Sequence, residues 1–189
     1  MVANVCIEAL ERGPNFRGWL PAGKLAVALS TDGVDGFLGR QSNIPSPEYA
    51  RKDRDYDKLV VYMLYGTLGM VTEDSRYFSY LMLNLVRDNK ADKTREQLIA
   101  QGLNGACARP LGRNKMRAQT TGLVADFSPI GDIAPELVHG IHMSAAVLTV
   151  VSGFDIERNA KQQLADFANS SDTPDEFRDV LAYTSQVTA

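Results

Sequence analysis

The order of apolar and polar positions along the chain predicts a succession of helices. Val2, Val5, Cys6, Ala9 and Leu10 recur at the spacing of one helical face, and Gly13-Pro14-Asn15 ends that run. Ala22 to Ser30 is apolar and ambiguous between helix and strand, with its alanines favouring helix. Thr31 to Ser46, with Gly33, Gly36, Gly39 and Pro45, reads as a long loop. Ser46-Pro47-Glu48 is a helix start: a hydroxyl cap, a proline where no N–H is needed, then an acid near the positive end. The helix it opens is expected to reach about Met70 and to be the longest in the chain. Its second half, Leu59 to Leu68, is apolar all round and should be buried on all sides or covered by a neighbouring subunit.

A second apolar helix is expected from Asp74 to Arg87, carrying Tyr77, Phe78, Leu81, Met82 and Leu85. A short one follows near Lys93 to Gln101, then a loop from Gly102 to Gly112 and a helix over Arg113 to Ala125. Pro135 starts the next, with Leu137, Ile141, Ala145 and Leu148 as its inward stripe and Gly153 as its stop. Asp155 caps another, with Ala160, Leu164 and Phe167 inward. Thr173-Pro174-Asp175-Glu176 is a capping box for a last helix that buries Phe177, Val180 and Leu181. The expectation is an all-α fold: one globular domain of about eight helices, with residues 1–45 as an N-terminal helix-and-loop extension and 46–189 as the helical core.

Composition fits a folded domain. Of 189 residues 44% are hydrophobic and 23% charged, enough to build a core without staples. Cys6 and Cys107 form no disulfide framework and fit a reducing compartment. The first residues, with Glu8 and Glu11, lack the basic start and unbroken apolar stretch of a signal peptide. No run of apolar residues approaches the length of a membrane span, so no membrane partner is expected.

Charge changes the picture more. The net charge is only −3, yet Met1 to Ala125 has 17 basic and 13 acidic residues, whereas Asp126 to Ala189 has 3 and 10. Gln97 to Ala125 carries Arg109, Arg113, Lys115 and Arg117 and no acid. Such asymmetry fits an anionic partner, or copies of the chain meeting through opposite charges. Guanidinium and ammonium groups suit phosphate oxygens, and contacts of that kind need no base recognition. No aromatic residue lies between Tyr80 and Phe127, so the segment is not a stacking platform for single strands.

Catalytic chemistry has little to stand on. Glu136, His139 and His142 share one helix, and Glu136-x-x-His139 has the spacing of half a di-iron site. No second Glu-x-x-His exists, and His142 is turned about 120° from Glu136 around the helix. Neither cysteine lies near a histidine in sequence, and no Gly-x-Ser-x-Gly elbow or phosphate-binding glycine loop occurs. Asp32-Gly33-Val34-Asp35-Gly36 has the wrong acid spacing for a calcium loop. No enzyme, cofactor or metal is therefore expected.

Ala125-Asp126-Phe127, followed by Pro135 and the alanine-containing Met143-Ser144-Ala145-Ala146, resembles a signature of the coat proteins of flexuous filamentous plant RNA viruses. Through Ser128-Pro129 the same stretch is similar to nucleoproteins of some segmented negative-strand RNA viruses. The resemblance covers about 35 residues and implies a helical protein that coats RNA through a basic groove. It implies that Asp126 is a groove carboxylate holding an arginine, either Arg76 or Arg109. The expectation is a self-assembling, RNA-coating structural protein of the virion or cytoplasm. It would bind phosphates irrespective of sequence through Arg76, Arg109, Arg113, Lys115, Arg117 and Asp126. The alternative is an all-helical adaptor or regulatory domain that binds protein and no nucleic acid.

Overall fold

The computed structural model describes residues 1–41, 47–101, 103 and 110–168, with side chains described outside 31–54 and 168. The chain is all-α: α1 (Val2–Arg12), a 3-10 turn (Gly13–Asn15), α2 (Trp19–Gln41), α3 (Pro47–Thr72), α4 (Ser75–Ala100), α5 (Pro110–Phe127), the one-turn α6 (Ile130–Ile133) and α7 (Pro135–Ala168). No strand occurs among the described residues. The expected helix after Thr173 lies outside them, as do Ser46, Cys107 and Arg109.

Several boundaries differ from the sequence pattern. The expected loop from Thr31 is helical as far as Gln41, its glycines notwithstanding. The two helices expected over Asp74 to Gln101 are one, α4, and the two expected after Pro135 are one, α7. Gly153 does not stop α7: glycine inside a helix costs only about 1 kcal/mol relative to alanine. At 34 residues α7, not the 26-residue α3, is the longest described helix.

The core has two halves. In the apolar half, Val5, Cys6 and Ala9 of α1 join Phe16, Leu25, Leu64, Tyr65 and Leu68, closed by Leu123 and Phe127 of α5. Phe16 and Phe127 meet edge to face at 5.1 Å between centroids, a favoured aromatic geometry. Val5, Cys6, Ala9, Phe16 and Leu25, all within the expected N-terminal extension, thus belong to this core. The all-apolar half of α3 is buried on one side only: Val61, Leu64, Tyr65 and Leu68 are inside, while Leu59, Met63 and Met70 are exposed.

The other half, among α4, α5 and α7, is polar. The inward row of α4 is Tyr80, Asn84, Asp88 and Ala91, while the apolar Phe78, Met82 and Leu85 are exposed. The inward row of α7 is Val138, His142, Ala145, Thr149 and Ser152, and Leu137 faces out. Thr149 and Ser152 satisfy their hydroxyls on the carbonyls of Ala145 and Thr149 in their own helix. By length and composition alone α7 is apolar enough to cross a membrane. In this fold its polar face packs against α4 and α5.

Candidate functional site

Two polar clusters and one exposed arginine pair occupy this polar half. Helix α5 sorts the basic segment by face. Arg113 and Arg117 stand one turn apart and exposed, with no acid in the first turn of the helix. Neither has an ion-pair partner among the described residues. Lys115, two residues from each, points the opposite way and is only 6% exposed. Its Nζ lies 3.6 Å from Asp88 Oδ1. The same carboxylate oxygen accepts from Arg87 at 2.6 Å, and Asp88 Oδ2 accepts from the Tyr62 hydroxyl at 2.9 Å. Lys115 is thus a core cation and not the surface phosphate contact expected from its place in the run.

The electrostatics of this cluster follow from burial and crowding. Desolvation pushes the Lys115 ammonium down to about 8; Asp88 opposes this and Arg87 adds to it. Desolvation works to raise Asp88, but Lys115 and Arg87 outweigh it and hold the carboxyl below its ordinary value. Arg87 is the nearer partner, at 2.6 Å against 3.6 Å for Lys115, and both cations share the one carboxylate.

The second cluster centres on Asp126, 2% exposed, at the end of α5. Its Oδ2 accepts from His142 Nε2 at 2.6 Å and its Oδ1 from the Tyr77 hydroxyl at 2.7 Å. The other ring nitrogen of His142, Nδ1, meets the Tyr65 hydroxyl at 3.1 Å. Burial beside Asp126 raises the phenols of both Tyr65 and Tyr77. Gly122 makes this approach feasible, because a Cβ there would stand 2.7 Å from the His142 ring. Asn84 and Gln119 join the clusters: Gln119 Nε2 donates to Asn84 Oδ1 at 2.7 Å, and Asn84 Nδ2 to the Tyr80 carbonyl at 2.8 Å.

Among the described residues the carboxylate of Asp126 therefore holds a histidine and a tyrosine and not Arg76, while Arg109 lies outside them. Arg76 pairs with Asp74, the residue that caps α4, and both lie near the surface. Among the described residues the arginine bonded to Asp126 is Arg17, which the sequence pattern does not single out. It donates from Nε to the Asp126 carbonyl at 2.9 Å and pairs with Asp132 at 2.7 Å. Tyr65, Tyr77 and Tyr80 were also missed as polar partners, because tyrosine at helical spacing reads as core.

A small cavity of about 120 Å³ opens beside this cluster, lined among others by Arg17, Arg76, Tyr80, Asp126, His139 and His142. Both arginines at it are already ion-paired, so it presents hydrogen-bonding groups and no spare cation. His139 Nδ1 meets the Tyr80 hydroxyl at 3.0 Å. Glu136 is exposed and His142 is committed to Asp126 and Tyr65, so Glu136, His139 and His142 do not converge. No group of three or more ligand-type residues able to hold a metal occurs among the described residues.

What these features define is an all-helical protein with a polar, tightly bonded interior. The sequence matches no protein-family model and no curated protein sequence.

Proposed function

We propose that the chain is a self-assembling, RNA-coating structural subunit, of the coat or nucleocapsid kind, acting in the virion or cytoplasm. The observation that carries this reading is the Arg113–Arg117 pair: two guanidinium groups on one exposed face, one turn apart, without a carboxylate partner among the described residues. Planar forks of this sort grip phosphate oxygens, and two of them along a helix follow a backbone without reading bases. The buried polar clusters serve the fold, and no catalytic role is assigned to them.

The test is RNA binding as a function of salt. For single strands each neutralised phosphate contributes about −0.7 to the slope of log K against log salt. Replacing Arg113 and Arg117 with alanine should flatten that slope by about 1.4 for unrelated sequences alike. An unchanged slope and affinity would overturn the reading. The second reading, a helical protein-binding module, is favoured by the apolar face that α7 leaves exposed. A purified protein with the absorbance ratio of nucleic-acid-free protein, and no affinity for RNA, would favour it.

A further inference from the structure

Helix α7 is turned inside out relative to a typical surface helix. Its buried row includes His142, Thr149 and Ser152, and its exposed row includes Met143, Val147, Val151 and Phe154, the last 67% exposed. The exposed row extends through Gly140 to Glu136 at one end and to Arg158 at the other. Neither Glu136 nor Arg158 has an ion-pair partner among the described residues. At 100° per residue all seven positions fall within about 40° of the direction of Val147, a narrow straight seam.

The order of residues along this seam is palindromic in a chemical sense. From Glu136 the steps to Gly140, Met143, Val147, Val151, Phe154 and Arg158 are four, three, four, four, three and four. The spacing is therefore symmetric about Val147, while the charges at the ends are opposite. A second copy laid antiparallel with Val147 on Val147 sets Glu136 against Arg158, Phe154 into the space over Gly140, and Met143 against Val151. Both ion pairs form, and each large side chain faces a small or medium one. A parallel copy would instead set Glu136 against Glu136 and Phe154 against Phe154. Val86 of α4 shares a groove with Val150 and Phe154 and widens the apolar strip on one side.

We infer that the exposed face of α7 is a two-fold, antiparallel interface between two copies of this chain, centred on Val147 and fixed in register by Glu136–Arg158 pairs. The inference rests on the reading that the chain self-associates and not on its RNA-binding part. An isologous contact of this sort buries the same patch on both copies, and opposite charges at its ends set direction and register.

The decisive variants are Glu136→Arg, Arg158→Glu and Val147→Glu, all at exposed positions, measured by sedimentation equilibrium of the full chain freed of nucleic acid. Each charge reversal puts like charges together at both ends of the dimer and should weaken it by tenfold or more. An equimolar mixture of the Glu136→Arg and Arg158→Glu chains should recover association. In their heterodimer one chain carries arginine at both ends of the seam and the other carries glutamate at both, so each end again joins opposite charges. Val147→Glu should leave monomers with unchanged helicity and unchanged affinity for a short oligonucleotide. If the wild type associates but none of these variants alters it, self-association stands and this interface is wrong. If the wild type stays monomeric, both fall. A monomer that binds phosphatidylcholine vesicles, and loses them on Val147→Glu, would make the face a lipid contact and overturn the inference.

Discussion

Asp126 and His142, sixteen residues apart and on different helices, share a 2.6 Å hydrogen bond that is almost wholly sealed from solvent. The imidazole is held on both nitrogens, one by the carboxylate and the other by Tyr65. Removing one partner of such a pair strands the other in a dry site, which costs more than the pair itself contributes.

Replacing His142 with leucine should therefore destabilise the fold by about 3–5 kcal/mol, since the Asp126 carboxylate would retain only Tyr77. Replacing Arg76 with alanine should cost about 1 kcal/mol or less, because its pair with Asp74 is near the surface. Urea unfolding of the two variants checks the contrast. A larger loss for Arg76→Ala would restore an arginine to the role that His142 holds.

Gly122→Ala should cost about 1–3 kcal/mol, because the new methyl meets a His142 ring that Asp126 and Tyr65 keep from moving. Gly69→Ala makes a similarly close contact, at 2.8 Å, with the ring of Phe78. Phe78 is largely exposed and can swing away, so its thermal midpoint should fall less.

Lys115 should make stability rise with pH over a window where many proteins are flat. Its folded value is about 8, below the ordinary 10.5, so between these the unfolded chain binds more protons than the native one. From pH 8 to 9.5 wild type should gain on the order of 2 kcal/mol relative to Lys115→Met. The variant also serves as the reference for the tyrosines, which ionise at higher pH. Parallel pH profiles for the two proteins would contradict the depressed ammonium. On the acid side, Asp88 acts in the same direction: its lowered carboxyl supplies stability that disappears as the pH drops through its folded value.

The salt slope for RNA should be the same for wild type and Lys115→Met, and flatter for the double alanine variant of Arg113 and Arg117. Sequence alone treats all three as one basic run, whereas only the latter two are exposed. Fluorescence anisotropy with an unstructured oligonucleotide at several salt concentrations separates them.

The all-helical class was legible and the helix faces were not. Pro47 and Pro135 each stand at a helix start, where a missing N–H costs nothing, and Pro110 opens α5 where the pattern had placed a loop. Gly153 and Asp155 looked like a stop and a cap only because α7 is longer than a typical helix. The larger failure has one cause. Periodicity assigns apolar residues to the inside, and α4 and α7 place Asn84, Asp88, His142, Thr149 and Ser152 there. Such residues can be buried only because their hydrogen-bond partners arrive from other helices or from the backbone one turn earlier, and one-dimensional spacing does not carry that information. The same limit hid Arg17, whose partners lie more than a hundred positions downstream.

That distance has a consequence for how the chain reaches its fold. The last carbonyls of α5 are taken by residues more than a hundred positions upstream: Gly18 N–H donates to the Phe127 carbonyl at 3.0 Å, next to Arg17 on Asp126. Until synthesis has passed Phe127, the start of the chain lacks these partners, and the closure of so long a loop must precede any reward from them. A ribosome paused before that point would hold out helices with Phe16 still uncovered. Newly made chains are then most exposed to chaperones and proteases until Phe127 has been added, and the bond from Gly18 marks the end of that interval.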